Sequence, residues 1–204
     1  MTTPIAASNI AAQAFRAIEL SAPSSFQDDS PQAGDASEQY PVALRIVLEL
    51  CDWSFASTLV SLAPASPPAT GYVEDQNLPG LFRLPTECVR LREVQPTDVK
   101  FRIDADRYIR ADETTSLTVR YTKLITNEAL LPSTFQTAVA YRLAMMMAPR
   151  WLRDRTKRQA LKSDFNDMLD EAQRSDRRTA SSQPYDHAAE ATGTSVDWVS
   201  EALR

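Results

Sequence analysis

The chain has 204 residues, 43 % of them hydrophobic and 24 % charged, with a net charge of -5. That length suits one domain plus tails, with roughly 70 % of the unfolded surface buried on folding. Ordinary composition argues against a fibre or wholesale disorder, and net acidity argues against a general nucleic-acid coat, which neutralises phosphates with surplus Lys and Arg.

In chain order, Pro4 to Leu20 places Ile5, Ile10, Ala14, Phe15, Ile18 and Leu20 among good helix formers, with Pro4 where a helix start tolerates it. The spacing predicts a helix there. Ser21 to Gln39 is rich in Ser, Pro, Asp and Gly and reads as a loop. A second helix is expected from about Ser37 to Asp52, because Tyr40, Leu44, Val47, Leu48 and Cys51 recur at spacings of three and four, with Pro41 in its first turn. The proline cluster from Ala63 to Pro68 ends any helical character.

Between Leu81 and Tyr121 apolar and polar residues alternate, as in Val89 to Val94 and Leu117 to Tyr121, with turn residues between the runs. This predicts a small antiparallel sheet, a meander of four or five short strands. Pro132 and Ser133 open another helix, with Phe135, Val139, Leu143, Met146 and Met147 on one face, which Pro149 is expected to stop. A longer helix is expected from about Arg150 to Arg177, on the stripe Leu161, Phe165, Met168, Leu169 and Ala172, forming a hairpin with its predecessor. The fold class is thus α+β: a bundle of about four helices with an inserted antiparallel sheet and a C-terminal extension. Its divisions fall at 1–53, 54–126, 127–178 and 179–204.

Thr194 and Asp197 open a short amphipathic segment in which Val196, Val199 and Leu203, with Trp198 alongside, make an apolar edge. Too short to stand alone in water, it is expected to need a partner surface. The longest apolar stretch, Ala138 to Ala148, falls short of the ~20 residues of a membrane span, and Arg142 interrupts it. No membrane partner is expected. The N-terminus lacks the early basic residues of a secretory signal, which points to intracellular synthesis.

Chemistry is hard to find. The single histidine, His187, lies in the polar tail, away from any scaffold that would hold it against a nucleophile. Two cysteines, Cys51 and Cys88, are too few for zinc ligation or a disulfide framework and read as buried thiols. Four scattered glycines make no phosphate-cradling loop. Asp104, Asp106, Asp112 and Glu113 fall where strand turns are expected, and the turn reading outweighs a metal site. The Met145-Met146-Met147 run reads as core packing. No catalytic role, metal or other cofactor is therefore expected. Charge is nonetheless uneven: Arg150 to Arg178 holds nine basic against six acidic residues, locally +3, leaving -8 for the remainder. Trp53 and Phe55 stand where helix gives way to strand, and large aromatics there fix how a helix meets a sheet.

Several motifs share an order with a known family. They are Ala12-Gln13-Ala14-Phe15-Arg16, Phe26-Gln27-Asp28-Asp29-Ser30, Asp52-Trp53-Ser54-Phe55-Ala56, Leu84-Pro85-Thr86-Glu87-Cys88-Val89-Arg90-Leu91, Val119-Arg120-Tyr121 and Leu131-Pro132-Ser133-Thr134-Phe135. Over about residues 5 to 178 the chain resembles the tail tubular protein A family of tailed bacteriophages, head-to-tail adaptors also found as connector proteins. It departs from the family at Cys51-Asp52, where His-Pro is common before the tryptophan.

The resemblance implies a virion structural protein at the head-tail junction, made in the host bacterial cytoplasm. It implies a ring, typically of twelve subunits, docked beneath the portal protein and presenting its other face to the next tail component, a stopper, nozzle or tail tube protein. Double-stranded DNA passes through the lumen without sequence-specific binding. Trp53 and Phe55 then become a structural hinge that sets the angle between bundle and sheet. Val196, Trp198, Val199 and Leu203 become the contact for the portal or a neighbouring subunit. The competing expectation is a nucleic-acid-binding regulator using the basic helix of residues 150–178.

Overall fold

The structure, a computed structural model, describes residues 8–26, 28–68 and 73–180. Four helices and two small sheets make an α+β fold. Helix α1 spans Asn9–Ala17, capped by Ser8, whose hydroxyl accepts from the Ala11 amide. Its end is a left-handed Glu19 at φ 59°, where the amides of Glu19 and Leu20 close back on the carbonyls of Arg16 and Phe15. The Pro4 start expected for this helix lies outside the described residues.

Helix α2, Pro31–Leu50, begins well before the expected Ser37. Ser30 caps it and Pro31 occupies the first turn, a start signal that the loop-like composition hides. Ala33 and Ala36 are fully buried, so packing overrides the weak propensity of Gly34, Asp35 and Ser37. Pro41 is consequently an interior residue, exposed on the outer face of the helix. Helix α3, Ser133–Trp151, likewise runs past Pro149, its last turn held by the Trp151 indole N–H on the Asp35 carboxylate at 2.7 Å. Helix α4, Arg155–Ala180, forms the expected hairpin with α3. Central in the bundle, α3 packs against the other three helices over Ile10, Phe15, Leu44, Leu48, Val139 and Leu143.

Among the described residues all strands lie between α2 and α3: β1 (Ser57–Leu62), β2 (Gly80–Arg83), β3 (Cys88–Gln95), β4 (Phe101–Ile103), β5 (Tyr108–Ala111) and β6 (Leu117–Lys123). They do not form the expected single meander. Two antiparallel three-stranded sheets, ordered β1-β6-β3 and β2-β5-β4, share one core around Phe82, Ile109, Leu117, Val119 and Tyr121. The reason is long-range pairing: β1 finds the last strand, Ser57 opposite Thr122, instead of its sequence neighbour. Gly80, which opens β2, is obligatory, since a Cβ there would lie 1.8 Å from the Glu113 carbonyl oxygen.

Candidate functional site

Helical body and β region meet at residues 51–56. Trp53 is 1 % exposed, and its indole N–H donates to the Val47 carbonyl at 2.9 Å, so α2 both leads into the tryptophan and holds it. Ser54–Ala56 form a single 3-10 turn, which carries Phe55 around to the same neighbour as Trp53. Both rings meet Phe135 of α3 edge-on with centroids 4.9 Å apart, and each other at 5.8 Å, a three-ring cluster in favourable tilted geometry. The expected hinge residues are thus brought together on the first turn of α3. The Ser54 amide and hydroxyl both donate to Asp176 of α4, at 2.9 and 2.6 Å. Three helices therefore converge on one turn.

A cavity of about 60 Å³ lies beside this turn, lined by Trp53, Phe55, Phe135, Ala172 and Asp176. It has room for a water or two and is far below the ~300 Å³ of the smallest ligand pockets.

The opposite side of the joint is charged. Helix α2 has no basic residue in its last turn, so its final carbonyls need outside donors. Strand β3 supplies them. Arg92, with its side chain only 10 % exposed, donates Nη2 to the carbonyls of Leu48 at 3.1 Å and Glu49 at 3.2 Å, and to that of Cys51, while its Nε donates to the Thr122 hydroxyl at 2.7 Å. Arg90 adds a bond to the Glu49 carbonyl at 3.0 Å. Arg120 of β6 then bridges Asp52 at 2.6 Å and Glu93 at 3.0 Å. Burial lowers the Arg92 pKa, whereas the Asp52 bond raises that of Arg120. Hydrogen bonds from Gln95 and then Arg120 hold the Glu93 carboxyl below its usual range. Sequence reasoning missed this cluster; its one available signal is the absence of a cation at the end of α2.

The acidic turns serve local structure. Asp104 accepts from Arg102 at 2.8 Å and Arg110 at 2.7 Å, Asp112 accepts from the Lys100 amide, and Glu113 caps the Thr114 and Thr115 amides. Asp106 sits in the left-handed region at φ 57°. Among the described residues no group of three His, Cys, Asp or Glu is placed to hold a metal, and no helix is long and apolar enough to cross a membrane. Cys88 is buried but Cys51 is only half-buried, its sulfur 2.9 Å from the Gln173 amide nitrogen. Burial pushes both thiols up, away from the thiolate form that attacks electrophiles. Met147 is buried and Met146 half-buried in the bundle.

The basic segment divides once placed on the fold. Its six cations from Arg150 to Lys162 cluster at the α3–α4 turn, where Arg150 pairs with Asp35, and Lys157 pairs with Glu19 at 2.6 Å. Asp164, Asp167, Asp170 and Glu171 follow without a cation among them, before Arg174, Arg177 and Arg178. No continuous basic face results. The tail residues Val196, Trp198, Val199 and Leu203, and His187, lie outside the described residues. The chain matches no protein-family model and no curated protein sequence.

Proposed function

We propose that the protein is a head-to-tail adaptor of a tailed bacteriophage, a non-enzymatic ring subunit that joins the portal vertex to the tail and lets DNA pass. The observation that carries this reading is the joint at residues 51–56. A ring closes only if each subunit presents two different surfaces at a fixed angle. Here an arginine clamp from β3 ties the β region to the end of α2, beside a three-ring cluster of the helical core, over the same Asp52-Trp53-Ser54-Phe55-Ala56 motif that carries the family resemblance. Native mass measurement of the chain, alone and with portal protein, tests the proposal. A closed ring, or a monomer that assembles on the portal, is the expected result; a lone dimer that binds DNA would overturn it.

A nucleic-acid-binding regulator draws support from exposed Arg153, Arg155 and Lys162, none of which is ion-paired within the described residues. It requires duplex-DNA affinity that falls steeply with salt. A channel wall requires weak contact, which the acidic stretch from Asp164 to Glu171 favours.

A further inference from the structure

Helix α2 is apolar on more than one side. Ala43, Leu44, Val47 and Leu48 fill the core, yet Val42, Ile46 and Leu50, spaced four apart on another face, are half-buried or exposed, Val42 at 44 % and Leu50 at 48 %. A helix that is apolar nearly all round is normally covered all round. Beside this face runs an open groove of about 460 Å³ whose walls include Tyr40, Val42, Ile46, Leu124 and Thr126, with Arg45 and Glu49 along its length.

The chain itself carries a segment that fits. In a helix, Val196, Val199 and Leu203 occupy one stripe at spacings of three and four, the pattern of anchors that dock in apolar grooves. Residues 181–204 hold four acidic residues, Asp186, Glu190, Asp197 and Glu201, against one arginine. Arg45 therefore offers the groove a cation for Asp197 or Glu201, in competition with Glu49 at 3.1 Å.

Where α4 ends sets the donor. Asp35 meets Trp151, and Cys51 meets Gln173, so α4 runs in the same direction as α2. Ala180 then lies about 10 Å beyond the end of α2, at 1.5 Å per residue from Gln173, and α4 ends pointing past the end of α2. The thirteen residues 181–193 reach at most about 45 Å when extended, enough for an adjacent molecule, whereas a return to the chain's own groove requires a reversal of the direction in which α4 ends.

We propose that the α2 groove receives residues 194–204 of a second copy of this chain, with Val196, Val199 and Leu203 seated against Val42, Ile46 and Leu124. Each copy then gives one segment and receives another, a heterologous contact that propagates until it closes. This deepens the ring reading and rests on it for the contact between copies.

Two full-length variants test it: Val42→Asp blocks the groove, and Val199→Asp with Leu203→Asp blocks the segment. Val42 is exposed, so its replacement leaves the core intact, and helix content by circular dichroism checks that both variants fold. In sedimentation velocity each variant alone is expected to stay monomeric. An equimolar mixture is expected to give dimers and nothing larger, because one intact groove meets one intact segment. A labelled peptide of residues 190–204 is expected to bind the segment-blocked chain and to bind a chain that also carries Val42→Asp roughly tenfold more weakly or less. A monomeric mixture, equal peptide binding to both chains, or protection of the groove independent of concentration overturns the proposal. Rings on the portal without peptide binding would sink the docking alone; peptide binding without portal assembly would sink the adaptor reading alone.

Discussion

The two sides of the joint are held by different physics. On one, Trp53, Phe55 and Phe135 are packed rings whose contribution is area removed from water and is nearly blind to salt and pH. On the other, Arg92, Arg120, Asp52 and Glu93 act through directed bonds, and only Arg92 is shielded from solvent. The packed side belongs to the helical core, whereas the charged side runs from strands β3 and β6 to the end of α2 and to Asp52.

Substitutions on the two sides therefore separate. Trp53→Ala removes the largest buried ring and one indole hydrogen bond, with an expected cost of about 3–5 kcal/mol by urea denaturation, unchanged between low and high salt. A smaller loss would place the ring outside the core. Arg92→Leu keeps bulk but removes the donor to the Leu48 and Cys51 carbonyls and one of two to that of Glu49, with an expected cost of about 2–3 kcal/mol and faster amide exchange over the last turn of α2. Unaltered exchange there would show that the clamp caps nothing.

Acid distinguishes the sides next. Glu93, Glu87 and Asp104 are all held below their ordinary pKa values, Glu93 by Gln95 and Arg120, Glu87 by Tyr121 and Lys123, and Asp104 by Arg102 and Arg110. Depressed carboxylates contribute stability that is complete above their unfolded values and lost as pH falls through the folded ones. Denaturation midpoints are thus expected to be flat above about pH 5 and to fall below about pH 4, and Trp53→Ala is expected to keep that profile at lower overall stability. The smallest effect belongs to Asp52→Asn. It cuts a half-exposed ion pair and is expected to cost at most about 1 kcal/mol, less in high salt; a larger loss would make Asp52 a keystone of the charged side.

Much of this was legible in the residues. Periodicity found the helices and the β character of 54–126, and it placed Trp53 and Phe55 at the boundary, because both signals are local. The start of α2 was hidden because Gly34, Asp35 and Ser37 read as loop when their packing is unseen. The paired sheets were hidden because β1 to β6 registration spans some sixty residues, a distance over which alternation carries no partner information. Arg92 was the least visible: on a strand it is one more polar position, and only the approach of α2 gives it carbonyls to cap.

Ser57 opposite Thr122 has one more consequence. Partner residues on antiparallel strands sit roughly 5 Å apart, so the whole β region leaves the bundle and returns to it through a single doorway. In modular terms it is an insertion, and its two ends are close enough for a short turn to bridge. The helical body is thereby a chassis that the chain leaves and re-enters at one point, with the insert giving back the arginines that cap α2.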